Sequence, residues 1–294
     1  MWSKENKMKL YTPSTIREIK AKYGFQLSKS LGQNFLTDKN IIDKIIDAAD
    51  LHKEDLVIEI GPGIGVLTAE AAQKAGKVIA IEIDKNLIPI LKDTLSEFDN
   101  VEVVNQDVLK TDLNQLIRDA GYKTAKIIGN LPYYITTPII MSILERRIHA
   151  ESITIMMQKE VAERIKSAPG KKTYGALSVA VQYYCTINSV ITVPKEVFFP
   201  APKVDSAVLR LDIRKERPVE LMDEKMFFAC IKAGFGQRRK TLSNSLMGIG
   251  MVSKDEVKTC LEDCEIDAKR RAETLSLEEF AKIANRFTEM EVKD

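Results

Sequence analysis

The sequence of 294 residues predicts an α/β protein with a doubly wound parallel sheet, followed by a smaller all-α domain. Two observations predict this fold class. Short β-branched runs alternate with stretches of helical period between about residues 40 and 213, and beyond them the pattern is helical to the end. The hydrophobic content of 45% is enough to fill a core of this size.

Five apolar runs predict the strands, and they begin near residues 56, 78, 101, 125 and 152: LVIEI, VIAIEI, VEVVNQD, AKIIGNL and SITIMMQ. Near-continuous apolar strands separated by helical stretches such as VLTAEAAQKAG are typical of a parallel sheet with helices on both faces. Helices are then expected around 159–166 and 175–184. The later runs VITVPKEVFF and SAVLRLDI predict antiparallel strands that complete the sheet.

The predicted domains are an N-terminal basic helix and loop over 1–39, the α/β domain over 40–213, and a helical domain over 214–294. The charged stretch RKERPVE separates the last two and is typical of a linker. In the final helix, Ser276 and Glu279 have the spacing of a capping box.

Composition limits the chemistry. Only His52 and His149 are present, and neither has a second histidine, a cysteine pair or a serine elbow nearby, so we expect surface histidines, no metal site and no imidazole-activated nucleophile. The four cysteines predict reduced thiols. No apolar run reaches the roughly 18 residues of a membrane span, which predicts a soluble, cytoplasmic protein. The net charge of +2 leaves only local basic patches to meet a polyanion.

The segment EIGPGIGVLTAEAA predicts a ligand-binding turn between a strand and a helix. Gly61, Gly63 and Gly65 allow positive φ and a close approach of ligand to backbone, although such turns also occur without a ligand. About twenty residues later Glu82 ends the second strand, where a carboxylate can accept both hydroxyls of a ribose.

The ligand predicted at this turn is a nucleoside with a cationic side arm, S-adenosylmethionine. The glycine spacing is GxGxG, and a dinucleotide pyrophosphate prefers GxGxxG. Asp107 closes the third strand and can accept from an adenine amine, whereas a negative charge beside a pyrophosphate is unfavourable. Two alternatives stay open at this point: Asp107 forms only a turn, or the protein is a nicotinamide-dependent oxidoreductase.

The segment NLPYYI follows the fourth strand and predicts a site for a base amine. The Asn130 side-chain oxygen and the Leu131 carbonyl can each accept a hydrogen bond, and Pro132 fixes the local backbone. Tyr133 offers a face for stacking, while Tyr134 is expected in the core. Two acceptors that draw the amine hydrogens out of the ring plane would direct its lone pair at a sulfonium methyl. The alternative is a capped strand end with both tyrosines packed inside.

The segment FFPAPKVDSAV is predicted to cover the second face of the base. Pro200 and Pro202 stiffen a loop that could hold Phe199 opposite Tyr133, with Phe198 in the core. Lys203 would then lie near the phosphate backbone. Packing of both phenylalanines in the core is the alternative.

Over nearly its whole length the chain resembles the KsgA-type rRNA adenine N6,N6-dimethyltransferases, which have a Rossmann-like class I methyltransferase domain. The resemblance rests on several motifs in order: SLGQNFL, EIGPGIGVLT, IEID, NQDVL, NLPYYI, FFPAPKVDSAV and FGQRRKTL. It implies that S-adenosylmethionine supplies methyl groups to two adjacent adenosines in the 3′-terminal hairpin loop of 16S rRNA. The implied partner is the immature 30S subunit, met by a monomer.

The resemblance also implies roles for individual residues. Gln33, Asn34 and Leu36 would close over the cofactor, Gly61 would contact its methionine and adenosine parts, and Asn130 would lie beside the transferred methyl. Without it, Asn34 fits a helix cap and Leu36 a core position equally well. The expected RNA contacts come from the basic N-terminal helix and from Lys166, Lys171, Lys172, Lys203, Arg238, Arg239 and Lys240.

Two alternative functions remain open. One is the macrolide-resistance type of methyltransferase, which acts on 23S rRNA and usually has NIPY where this chain has NLPY. The other is a ribosome-assembly checkpoint factor, in which binding matters more than catalysis. Leu131 and the long helical tail favour the small-subunit enzyme.

Overall fold

The computed structural model describes residues 9–26, 28, 31–250 and 252–291. They form two compact units. One contains the residues up to Ala162 together with Thr186–Ile213, and the other contains Glu163–Cys185 and the chain from Arg214 onward. The segment 163–185 therefore belongs with the C-terminal helices, although the sequence pattern places it within the α/β part. Whether the chain is divided into independently folding domains at residues 39/40 and 213/214 stays a prediction.

The first unit carries a parallel sheet and the helices that cover it. In chain order its elements are α1 (Pro13–Tyr23), β1 (Phe35–Leu36), α2 (Lys39–Ala49), β2 (Leu56–Ile60), α3 (Val66–Lys74), β3 (Lys77–Glu82), α4 (Ile88–Thr94), β4 (Val101–Asn105), α5 (Leu113–Asp119), β5 (Ala125–Asn130), α6 (Thr136–Glu145), β6 (Ala150–Gln158), the start of α7 (Lys159–Ile165), most of β7 (Cys185–Val193), β8 (Phe198–Phe199) and β9 (Ser206–Ile213). All five predicted parallel strands are present.

The main sheet has seven strands in the order β4-β3-β2-β5-β6-β9-β7. Strands β2 to β6 pair in parallel, and β9 runs antiparallel to β6. The chain builds β3 and β4 on one side of β2 and then crosses to β5 on the other. Ligands of such sheets bind at the carboxyl ends of the strands, where the order reverses, which here is between β2 and β5. The predicted doubly wound fold is confirmed.

Burial explains why these runs form central strands. Every residue of β2 is buried, because helices cover both faces of the sheet. On one face α2 presents a stripe of four buried isoleucines, at helical spacing: Ile41, Ile42, Ile45 and Ile46. The α2 helix begins after Asp38, whose carboxylate accepts hydrogen bonds from the backbone N–H groups of Asn40 and Ile41.

A separate two-stranded sheet joins β1 to β8. Phe35 is paired with Phe199, and Leu36 with Phe198, in antiparallel register. The sequence predicted a loop around residues 31–36, because two-residue strands have no periodicity to detect. This pairing brings the loop before α2 to the segment that precedes Pro200.

The second unit is helical. It contains α8 (Ala176–Tyr184), α9 (Glu224–Gly236), α10 (Leu242–Leu246), α11 (Lys254–Asp263) and α12 (Leu277–Glu291). Its core contains Tyr174, Phe227, Phe280 and Phe287, all fully buried. The predicted capping box is confirmed: Glu279 N–H donates to Ser276 Oγ over 3.2 Å, and Ser276 N–H donates to the Glu279 carboxylate over 2.8 Å.

Candidate active site

A cavity opens at the carboxyl ends of β2, β3, β4 and β5. It has about 1100 Å³ of empty space, part of it continuous with bulk solvent. Three groups of residues line it: the loop 31–36, the glycine turn after β2, and the segment 130–135 after β5. These segments are far apart in sequence, and the strand order brings them together.

The glycine turn after β2 has the backbone that the sequence predicts. Gly61, Gly63 and Gly65 have φ values of 69°, 60° and 92°. A Cβ on Gly63 would lie 2.9 Å from the Phe35 ring, so packing alone requires glycine there. A Cβ on Gly61 would meet nothing within 4 Å. Gly61 therefore faces open space in the cavity wall, where a ligand can approach the backbone.

Two of the acidic residues in the wall were predicted. The Glu82 carboxylate, at the end of β3, accepts a hydrogen bond from Asp84 N–H over 2.8 Å, and burial raises the pKa of Glu82 to about 7. Asp107 follows β4, and its carboxylate accepts from Leu109 N–H over 3.0 Å. Asp107 thus forms a turn and lines the cavity as well, so the turn and the ligand interpretations are compatible.

Sequence reasoning missed a third acidic residue, Glu59 on β2. It is 1% exposed and lines the cavity, and its Oε2 has no hydrogen-bond partner in the part of the chain that the structure describes. Burial raises the pKa of Glu59 to about 8. A carboxyl in the otherwise apolar run LVIEI is the signal that could have identified it, because buried carboxylates need a partner.

The loop 31–36 closes one side of the cavity. Gln33 Nε2 donates to the Asp84 carboxylate over 2.8 Å, and Gln33 Oε1 accepts from Ser28 N–H over 2.9 Å. Asn34 Nδ2 donates to the Gly32 carbonyl over 3.0 Å, so Asn34 does not cap α2. Leu36 is buried in β1 and also lines the cavity.

Asn130 ties the end of β5 to this loop. Its Nδ2 donates to the backbone carbonyl of Asn34 over 2.9 Å, and Oδ1 is left as an acceptor with no partner among the described residues. Leu131 is buried and its N–H donates to the Met156 carbonyl. The Pro132 carbonyl accepts from Ile135 N–H and from Thr136 Oγ1. The segment is thus held rigidly along the cavity wall.

The two tyrosines of NLPYYI occupy different environments. Tyr133 is half-buried, and its hydroxyl forms a 2.8 Å hydrogen bond with Ser206 Oγ on β9; burial raises the pKa of Tyr133. The prediction that Tyr134 belongs to the core is wrong, because its side chain is 60% exposed at the cavity rim. The two residues share one turn, and only Tyr133 is half-buried and hydrogen-bonded among the described residues.

Phe198 is buried in the core as predicted, and it also lines the cavity; the predicted stacking role of Phe199 stays a prediction. Phe198 is 5% exposed and lines the cavity, whereas Phe199 is half-buried and is not among the lining residues. Successive strand residues point to opposite sides, so only one ring of β8 can face the cavity. The Phe199 ring instead lies 5.7 Å from the Lys20 ammonium of α1.

The predicted RNA-contact residues lie on exposed surface. In the second unit Lys171, Lys172, Arg239 and Lys240 are exposed. Arg238 donates to the carbonyls of Lys172 and Tyr174, so its guanidinium holds the loop that carries the two lysines. Lys166 pairs with Glu163 over 2.9 Å. Lys203 is exposed in the first unit.

The histidines, the cysteines, potential metal ligands and long apolar helices were also subjects of sequence predictions. His52 and His149 are both exposed, as expected, and none of the four cysteines forms a disulfide. Within the described ranges there is no cluster of three or more potential metal ligands. The described helices include none with the length and apolarity needed to cross a membrane.

The residues of the cavity fit S-adenosylmethionine. The Gly61 backbone borders open space, the Glu82 carboxylate can accept ribose hydroxyls, and the Glu59 oxygen without a partner among the described residues is a buried hydrogen-bond acceptor. With the sheet order and the glycine turn, this site defines a Rossmann-like methyltransferase that depends on S-adenosylmethionine. A family model described as "Ribosomal RNA adenine dimethylase" matches residues 24–289, and the chain belongs to this family.

Individual relatives agree with the family. A protein named "Ribosomal RNA small subunit methyltransferase A" from Clostridioides difficile (strain 630) is 54% identical over 278 residues, covering 94% of this chain and 96% of its own. Among solved structures, a dimethyladenosine transferase from Plasmodium falciparum has a TM-score of 0.75 and 27% identity, with 86% of this chain and 97% of that chain covered. The 23S rRNA methyltransferase ErmE has a TM-score of 0.67 and 28% identity, with 86% and 99% covered. The resemblance inferred from the motifs is confirmed.

Proposed function

We propose that the protein transfers methyl groups from S-adenosylmethionine to the N6 amines of two adjacent adenosines in the 3′-terminal hairpin loop of 16S rRNA. The main structural support for this proposal is the Asn130 amide, which the Asn34 carbonyl holds on the wall of a cavity that Glu82 and Asp107 also line. The curated relatives at 47–54% identity are named for small-subunit rRNA, which supports this substrate over large-subunit rRNA.

The cofactor is bound by the side of the cavity that the glycine turn forms. Gly61 leaves room for its methionine and adenosine parts, Gly63 forms the turn beside them, Glu82 accepts from the ribose, and Asp107 accepts from the adenine amine. Gln33, Asn34 and Leu36 form the loop that closes over it. Because the Gln33 amide is already bonded to Asp84 and Ser28, it acts by holding this loop in place.

The reaction depends on orientation. The bound cofactor supplies an electrophilic methyl on a sulfonium. In the first transfer Asn130 Oδ1 and the Leu131 carbonyl would accept the two hydrogens of the adenine amine and direct its lone pair at the methyl, while Pro132 keeps the two acceptors fixed; in the second, one of them would accept the remaining hydrogen. In each transfer the N–C bond would form as the S–C bond breaks, S-adenosylhomocysteine would leave, and the amine proton would pass to an acceptor or to water. Tyr133 covers one face of the adenine, and Phe198, which lines the cavity, takes the place that the sequence assigned to Phe199. Placement and preorganised acceptors supply the rate enhancement.

The partner is rRNA within the immature 30S subunit. The base must be unpaired or flipped to enter the cavity, so recognition rests on RNA shape and on phosphate contacts. We assign those contacts to Lys166, Lys171, Lys172, Lys203, Arg238, Arg239 and Lys240, and to α1. The enzyme acts as a monomer without a metal, in the cytoplasm where the subunits are assembled.

The role of Asn130 is tested by Asn130→Ala. Loss of an acceptor that acts in the transition state should slow methyl transfer by about 100-fold, while S-adenosylmethionine affinity changes by only a few-fold. Asn100→Ala is the matched control, because the Asn100 amide also bonds to backbone carbonyls in the same unit, those of Ala72 and Ala75. Single-turnover methylation and calorimetry give the two values. Unchanged turnover in Asn130→Ala would contradict the proposed role.

The substrate is tested with labelled S-adenosylmethionine and three acceptors: unmethylated small subunits, naked 16S rRNA and 23S rRNA. Incorporation of label into N6,N6-dimethyladenosine of small subunits supports the proposal. Labelling of 23S rRNA alone would establish the large-subunit alternative. Tight binding to small subunits with little turnover would favour the checkpoint alternative, and calorimetric binding of NADH in place of S-adenosylmethionine would exclude a methyltransferase.

A further inference from the structure

Tyr134 is the most exposed of the large hydrophobic side chains in the described part of the chain. Its exposed fraction is 60%, and it lines the cavity together with Ile83, which is 54% exposed. The Tyr134 hydroxyl has no hydrogen-bond partner among the described residues. Since no hydrogen bond among the described residues holds this ring and most of it is exposed, its open apolar face needs another explanation.

The inner side of the Tyr134 ring lies beside Gly32 of the loop 31–36. A Cβ built on Gly32 would lie 3.8 Å from both Cδ1 and Cε1 of the ring, and 3.4 Å from the Cβ of Pro132. Gly32 has a φ of 59°, which favours glycine. One side of the ring therefore lies beside the loop 31–36, and the 60% exposure of Tyr134 leaves the other side open to solvent.

We propose that Tyr134 is a stacking platform for the nucleotide that flanks the methylated adenosine. This inference rests on the proposed function, since it takes RNA as the substrate. Tyr133 and Tyr134 are consecutive, with one ring half-buried in the cavity wall and the other at its rim. An RNA strand that inserts one base beside Tyr133 must leave the cavity at this rim, so the next base meets an exposed aromatic face.

A base fits this position better than the cofactor does. The groups that suit the cofactor, Glu82 and Asp107, follow β3 and β4, whereas Tyr134 follows β5 on the other side of β2. The side chain of Ile83 adds apolar surface at the rim but has no aromatic face. Stacking on a tyrosine tolerates any base, so the contact positions the strand without reading its sequence.

The structure therefore predicts a specific kinetic effect. Tyr134→Ala should raise the KM for RNA by about ten-fold, because a stacked base is lost, and should leave kcat within about two-fold. Tyr134→Phe keeps the ring and should behave like the wild type. Met222→Ala is the matched control, since Met222 is 59% exposed in the second unit.

A direct readout uses a hairpin RNA with 2-aminopurine next to the target adenosine. Binding to the wild type or to Tyr134→Phe should quench its fluorescence by stacking, and binding to Tyr134→Ala should not. Equal quenching and equal KM in Tyr134→Ala would overturn the inference, as would a loss of S-adenosylmethionine affinity with unchanged RNA binding. Because quenching needs no turnover, it tests stacking even if the wild type fails to methylate RNA, a result that would refute the proposed function instead.

Discussion

Replacing Glu59 by glutamine should flatten the pH dependence of the protein's stability. Glu59 is 1% exposed, and burial raises its pKa from 4.5 to about 8, with the nearby charge of Glu82 adding to the effect. Between these two pH values the folded protein keeps a proton that the unfolded chain has released. The folded state is therefore destabilised as the pH rises through this window, and the loss is complete only above pH 8.

The size of the effect follows from the two pKa values. A difference between 4.5 and about 8 corresponds to roughly 5 kcal/mol at high pH. Roughly 3 kcal/mol of this should be lost between pH 5.5 and 8, where both states are accessible to experiment. For a folding unit of 150–250 residues, a change of this size moves the melting temperature by roughly 6–12 °C.

The assay is thermal unfolding of the wild type and of Glu59→Gln from pH 5.5 to 8, without cofactor. Glutamine has nearly the same shape as glutamic acid and does not titrate. Any other effect of the substitution on stability is therefore the same at every pH, and the dependence of the melting temperature on pH reports the titration of Glu59. The melting temperature of the variant relative to that of the wild type should rise with pH. Parallel curves for the two proteins would refute the reasoning, because they would mean that Glu59 does not titrate differently on folding.

Two further predictions concern stability at other positions. Gly63→Ala should lower the free energy of unfolding by more than about 2 kcal/mol, since φ is 60° and the added Cβ would lie 2.9 Å from the Phe35 ring. Gly121→Ala should lower it by about 1 kcal/mol, because φ is 82° but the added Cβ would meet open space. Urea unfolding measures both, and equal midpoints for the two variants would contradict the prediction. Ser276→Ala should destabilise the helical unit by about 1 kcal/mol, because it removes the N-terminal cap of α12. Ser253→Ala removes the equivalent cap of α11 and should have a similar effect in denaturant unfolding. Unchanged stability in both variants would exclude a role for these caps.

Much of the site could be predicted because its signals are local. A glycine turn after a strand, an acidic residue at the end of the next strand and an amide after the fourth are all readable along the chain. Parallel strands bring their carboxyl ends to one edge, so the order of the motifs was enough to place Gly61, Glu82, Asp107 and Asn130 around one cavity.

Other residues could not be assigned in this way. Phe198 and Phe199 are adjacent residues of the same type, and the pairing of β8 with β1 decides which of them lines the cavity. Glu59 looks like an ordinary strand end until the helices that bury it are in place. Tyr134 looks like a core residue until its ring is found resting on Gly32, about one hundred residues away along the chain.

The sequence by itself determined the doubly wound sheet, the cofactor turn, the acceptor segment after β5 and the capping box of α12, because each depends on spacing or periodicity within a short stretch. The tertiary structure alone decided which aromatic ring faces the cavity, which carboxyl is buried without a partner, and that residues 163–185 belong to the helical unit. These properties depend on what packs against a residue from distant parts of the chain, and a local pattern such as the carboxyl in LVIEI can at most suggest them.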